Sequence, residues 1–101
     1  MNQNSDPPSA AEAPRFTSTQ GQYLAFIDAY SRVHGCPPAE ADLQRHFKVT
    51  PPSVHQMIIT LERLGFIRRT PRTARSIKLL VPPQLLPVLR REPVKSSVQR
   101  Y

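Results

Sequence analysis

Between residues 16 and 81 apolar side chains return at helical spacing in three segments and at strand spacing in two. The first set, Tyr23, Phe26, Ile27, Tyr30, Val33 and His34, forms one stripe of a helix predicted over 18–34. Thr17 with Gln20, and Thr19 with Gln22, have capping-box spacing at its start. Gly35 stops it and Pro37-Pro38 bars continuation. The second helix is short, over 39–47, with Ala39, Leu43 and Phe47 facing inward. Glu40 and Asp42 occupy its first turn, and Arg45 and His46 its last, each where the helix dipole favours that charge. After the break Lys48-Val49-Thr50, Thr50 is a good N-cap and Pro51 suits a first helical position. The third helix, over 50–64, carries Val54, Met57, Ile58, Leu61 and Leu64 on one face and ends at Gly65. Residues 66–70 and 76–81 read as two strands joined by the basic loop Pro71-Arg72-Thr73-Ala74-Arg75.

Two helices separated by a three-residue break, the second opening with Thr-Pro, are the signature of a helix-turn-helix. A hairpin with a basic loop after such a pair is a wing. The fold class expected is therefore mainly α with a small β-hairpin, a three-helix winged helix-turn-helix over 16–81. Residues 1–15 hold three of the twelve prolines and no large apolar side chain past Met1, so they are expected to be a disordered tail. Residues 82–101 form a Pro-rich basic C-terminal tail, with the last ten residues expected to be disordered. Its aliphatic stretch, 85–89, is expected either to fold back over the first helix or to make a homodimer contact through 82–89.

Charge narrows the function. Fourteen Lys and Arg stand against seven Asp and Glu, a net charge of +7, which points to a polyanionic partner. No basic amphipathic helix with a wide apolar face, lipidation signal or transmembrane run supports a membrane as that partner. The single cysteine, Cys36, allows no internal disulfide, and no signal peptide opens the chain; a cytoplasmic, nucleoid-associated protein is expected. Catalysis is disfavoured. The sequence has no HExxH, no GxSxG, no Gly-rich phosphate loop and no Cys/His cluster at metal spacing; His34, His46 and His55 fall in three different helices. The expectation is a non-enzyme with no cofactor, no metal and no small-molecule ligand, whose partner is double-stranded DNA.

Stepping about 100° per residue along the third helix places Pro52, His55, Gln56, Ile59 and Arg63 opposite the buried face, with Ser53 on one flank. In a helix-turn-helix this outer face reads bases in the major groove. Gln56 can bond bidentately to adenine, His55 and Ser53 can each bond a base edge or phosphate, and Ile59 can touch a thymine methyl. The base-reading candidates are thus Pro52, Ser53, His55, Gln56 and Ile59. From Arg63 to Lys78 the chain carries six positive charges in sixteen residues and no acid. Arg63, Arg68, Arg69, Arg72, Arg75 and Lys78, with Thr50, are the candidates for DNA backbone or minor groove, Arg72 and Arg75 at the wing tip for the minor groove.

Several of these residues carry a resemblance. Phe16-Thr17 with Gln20, Gly35-x-Pro37-Pro38, Leu43 to Phe47, the turn into Thr50-Pro51, Leu61-x-x-Leu64-Gly65-Phe66-Ile67 and Ile77-Lys78-Leu79-Leu80 together resemble the N-terminal DNA-binding domain of the LexA repressor, over about 65 of 101 residues. The resemblance implies a winged helix-turn-helix that represses transcription. Where that family reads bases with an Asn and a Glu-Glu pair, this chain has Pro52 and His55-Gln56, so the operator is expected to differ from the family's damage-response site. The family also continues into a Ser-Lys self-cleaving domain that makes its dimer. No such segment occurs before Tyr101, and neither self-proteolysis nor damage-response control is carried over. Two other readings compete: a winged-helix protein-interaction module, and a weakly specific architectural nucleic-acid-binding protein.

Overall fold

A computed structural model of the chain describes residues 15–90. The disorder expected of 1–15 and of the last ten residues falls on positions outside them, Arg15 apart. The architecture is three helices and one antiparallel hairpin. The elements are α1 (Ser18–His34), α2 (Glu40–Phe47), α3 (Pro51–Arg63), β1 (Ile67–Arg68) and β2 (Lys78–Leu79), followed by a single 3-10 turn at Pro83–Leu85. It is the winged helix-turn-helix that the periodicity predicts.

Each helix start is set by its cap. Thr17 Oγ1 accepts the Gln20 amide at 3.1 Å while the Gln20 side chain accepts the Thr17 amide at 3.0 Å, a closed capping box. Gly35 ends α1 in the left-handed conformation, φ +74, which costs a glycine little. Asp42 reaches back to the Ala39 amide at 2.9 Å and so caps α2 in place of Ala39, which has no polar side chain. Thr50 Oγ1 accepts from the Ser53 amide at 3.3 Å, with Pro51 at the first position of α3.

The core gathers Leu24, Ile27, Leu43, Val54, Ile58, Leu61 and Ile67, all nearly inaccessible to water. Between α1 and α2 the packing is aromatic: Tyr23 stacks on Phe47 at 4.2 Å and Phe26 on His46 at 4.4 Å. Burial also holds the Tyr23 hydroxyl above its ordinary pKa.

Three expectations about packing need correction. Leu64 and Val33, expected to face inward, are exposed. Leu64 is the C-cap where α3 gives way to Gly65, and Val33 lies in the last turn of α1, whose residues 32–34 are all open to water. Leu24, outside the predicted stripe, is fully buried. The cause is that residues 21–25 of α1 are buried without interruption, so that part of the helix has no solvent side. The strands are also shorter than predicted. Beyond Arg68 the Ser76 hydroxyl replaces the ladder: it accepts from the Thr70 amide at 2.9 Å and lies 3.1 and 2.8 Å from the Thr70 and Thr73 carbonyl oxygens.

Residues 82–90 supply the missing wall of α1. The Gln22 side chain, buried itself, donates to the Val88 carbonyl at 3.0 Å and accepts the Arg90 amide at 2.8 Å. Leu86 packs on the core. A Cβ at Gly21 would fall 3.0 Å from Pro87 Cγ and 3.1 Å from the Phe16 ring, so glycine is what allows the two to close over the helix. Leu85 and Val88 remain exposed, as does Leu80.

Candidate nucleic-acid interface

The two faces of α3 differ as its sequence predicts. Val54, Ile58 and Leu61 are buried, while Pro52, Ser53, His55, Gln56 and Arg63 are exposed and Ile59 is half-buried. Thr50 and Ser53 are occupied locally, the Thr50 hydroxyl donating to Ser53 Oγ at 3.0 Å. His55 Nδ1 lies 3.4 Å from Glu40 Oε2 at the start of α2. Helices α2 and α3 thus meet at an exposed polar edge on one side and the core on the other.

The hairpin places its charges unequally. Antiparallel register sets Ile67 opposite Leu79 and Arg68 opposite Lys78. The first pair faces inward, so the second projects two like charges side by side into solvent, an arrangement that costs folding a few tenths of a kcal/mol to about 1 kcal/mol. Arg69 Nε donates to Glu62 Oε1 at 3.0 Å, tying the residue that follows β1 to the end of α3. Arg72 is exposed at the loop tip with φ +62, and Arg75 has φ +57. Both lie in the left-handed region that glycine fills at no cost and other residues at about 1–2 kcal/mol.

Arg75, exposed like Arg72, differs from it in being held by partners. Its Nη1 donates to the Tyr30 hydroxyl at 2.9 Å and to the Pro37 carbonyl at 3.3 Å, and pairs with Asp42 Oδ2 at 3.1 Å. The guanidinium also lies 5.8 Å from the centre of the Tyr30 ring. Asp42 is 8% exposed and binds Arg45 through its other oxygen. The Ala39 amide, then Arg75 and Arg45, hold its carboxyl below the usual carboxylate range, outweighing the opposite push of burial. Tyr30 in turn raises the Arg75 guanidinium above its ordinary value, with Asp42 adding to it.

Pro38, Ala39, Glu40 and His55 form one side of a cleft of about 360 Å³, and residues 69–70 and 72–77 form the other. Of the sequence candidates, the cleft brings together His55, Arg69, Arg72 and Arg75; Thr50, Pro52, Ser53, Gln56, Ile59, Arg63, Arg68 and Lys78 lie outside its lining. Cys36, half-buried, lines a second cleft with Asp28, Ser31 and Arg75, so the Arg75 side chain stands between the two. The sequence reading missed Glu40, Tyr30 and Asp42. The acidic first turn of α2 is the only sequence signal for Glu40 and Asp42, and the helix dipole explains it equally well; Tyr30 reads simply as part of the apolar stripe of α1. Among the described residues no three His, Cys, Asp or Glu side chains come together as a metal site, and no helix is long and apolar enough to cross a membrane.

Comparison with known proteins gives the family. Residues 13–76 match the LexA DNA binding domain family. The chain is 35% identical over 82 residues to a LexA repressor of Thermosipho africanus, a match covering 81% of this chain and 39% of that protein. It is 39% identical over 66 residues to a LexA repressor of Thermosipho melanesiensis, covering 65% and 33% of the two. It is 34% identical over 65 residues to a LexA repressor of Geobacter metallireducens, covering 63% and 32%. The match thus spans about a third to two fifths of the length of these relatives.

Proposed function

The chain belongs to the LexA DNA-binding domain family, and from that membership we infer that it is a sequence-specific double-stranded DNA-binding protein acting as a transcriptional repressor on the nucleoid. Helix α3 would enter the major groove with Ser53, His55 and Gln56 at base edges, flanked by the apolar Pro52 and Ile59. Arg63, Arg68, Arg72 and Lys78, with Thr50 at the helix start, would meet the phosphates. The observation that carries this reading is the cleft in which exposed His55 of α3 faces the hairpin arginines. Supporting it is the outward Arg68–Lys78 pair, a like-charge cost to folding that a polyanion offsets.

Selection of bound duplexes from random DNA at ~150 mM salt tests the proposal. A sharp motif supports it. Broad binding that collapses with salt moves the protein to the architectural class, and absence of binding moves it to protein docking. A single winged helix covers one half-site, so we also propose that two copies pair on a full operator through residues 82–89, where Leu85 and Val88 are exposed. Sedimentation of Leu85→Ser with Val88→Ser checks this: dimer lost with melting unchanged is expected, and a protein monomeric throughout, alone and on DNA, refutes it.

A further inference from the structure

Six cations between Arg63 and Lys78 look equivalent in the sequence, but Arg69 pairs with Glu62 and Arg75 is held by three partners at once. Arg75 holds a backbone conformation that a glycine would adopt freely, and its side chain offsets that cost with three oxygen partners, one from each of three places. Tyr30 comes from α1, Pro37 from the connection and Asp42 from α2. Asp42 is buried and carries its own cation, Arg45, together with the capping duty at Ala39. It is therefore a fixed anchor point rather than a surface charge that swings to meet a ligand. On the other side, Ser76 closes the loop from within through Thr70 and Thr73. The loop is gripped at both ends of its last turn. Arg72, three residues away, is exposed and makes no hydrogen bond or ion pair among the described residues.

We propose that Arg75 is a positioning residue for DNA binding: latched into the corner formed by Tyr30, Pro37 and Asp42, it sets the pose of the hairpin loop against α3, so that of the two loop arginines Arg72 alone contacts DNA. This rests on the DNA-binding reading above. The cleft supplies the geometry, because Arg72 and His55 line the same concavity and Arg75 forms part of its wall. Moving the loop widens or closes the gap between the base-reading edge and the wing cation. Two fixed contacts one groove apart need that gap held, since misplacement by a fraction of the groove width loses one of them.

Titration of each variant on its selected duplex over a range of salt separates positioning from direct contact. Arg72→Gln and Arg75→Gln are each expected to flatten the slope of log K against log salt by about one unit. The double variant is expected to flatten it by the same single unit, because one contact is lost in all three cases. A double variant flattened by about two units overturns the proposal, since Arg75 then meets a phosphate itself. Asp42→Asn supplies a test by sign. Removing a negative charge near DNA strengthens binding if only long-range attraction matters, whereas loss of the latch weakens it by about threefold to tenfold. Tyr30→Phe, which keeps the ring and the core, is expected to weaken it in the same direction. It decides the matter should Asp42→Asn fail to fold, with unchanged or tighter binding overturning the latch. Melting curves confirm that each variant is folded at the temperature of the titration. Failure of the unaltered protein to bind any duplex removes the premise and the latch together, whereas binding with additive slopes removes the latch alone.

Discussion

Helices α1 and α3 are built from similar material and live in different surroundings. Both carry aliphatic side chains at helical spacing, and both begin at a threonine cap. Yet residues 21–25 of α1 are buried on every side, whereas α3 buries Val54, Ile58 and Leu61 and leaves Pro52, Ser53, His55 and Gln56 bare. In α1 a polar residue, Gln22, is spent on holding the chain's own backbone at Val88 and Arg90. In α3 the polar residues of the outer face hold little beyond their own cap and Glu40, and only Glu62, near its end, ties down another segment, at Arg69. One helix is a post that the rest of the molecule is fastened to; the other is kept available on one face. A polar side chain on a helix therefore says little about function until the segment opposite it is known.

The contrast can be broken most forcefully from within α1. Leu24→Ala should cost about 2–5 kcal/mol of stability, read as the midpoint in urea, because the side chain is fully enclosed and the site has little room to collapse. A cost below about 1 kcal/mol would mean that α1 is not walled on that side. Gln22→Ala should cost about 1–3 kcal/mol, since it leaves the Val88 carbonyl and Arg90 amide without their partner. Truncation after residue 82 should lower the melting temperature at least as far.

On α3 the same chemistry should leave stability alone. Gln56→Ala is expected to keep the melting temperature of the parent while losing about 1–3 kcal/mol of binding on the best duplex, with preference relaxed at one base pair. Melting that falls with binding preserved would invert the roles of the two helices.

Acid should act on neither helix face but on the corner that joins α1, α2 and the wing. The folded state holds the Asp42 carboxyl below its ordinary value of 3.8, so its stabilising effect is complete above that pH. The effect disappears as pH falls through the lower folded value, when the carboxylate is protonated against its amide and guanidinium partners. Melting followed from neutral pH down into that range should show a steeper decline for the parent than for Asp42→Asn. The smallest effect expected is at Lys78→Glu, which replaces a like-charge pair across the hairpin with an opposite one. It should raise stability by about 0.2–1 kcal/mol while weakening DNA binding, the opposite signs distinguishing a surface kept for a partner from one kept for folding.

What could be read from the sequence follows from the range of the interactions. The Thr17–Gln20 box, the Thr50-Pro51 start, the Gly35 and Gly65 stops and the inward face Val54, Ile58 and Leu61 depend on neighbours a few residues away. The outer face of α3 was legible as the complement of that stripe. The burial of Gln22 was not, because its partner Val88 lies 66 positions further along the chain, and Leu24 is buried as part of a core assembled from all three helices and the hairpin. Nor could Arg75 be told from Arg72. In sequence both are cations in a loop beside small residues; what separates them is a buried carboxylate on α2 that local pattern had explained as a response to the helix dipole.

The fastening at Gln22 also has a topological consequence. Pro87 and Phe16 meet over Gly21, and the Arg90 guanidinium lies 3.5 Å from the Ser18 hydroxyl, so the two ends of the folded unit emerge side by side at the start of α1. A short bridge can therefore join residue 90 to residue 15 without crossing the body, and the chain can be reopened elsewhere, the setting in which circular permutation is tolerated. Opened between Thr73 and Ala74, such a permuted protein would keep every core contact and all three helices while dividing the wing into two free ends. Order along the chain would then be uncoupled from the surface it presents, and the cost of a severed wing could be measured with the helices still intact.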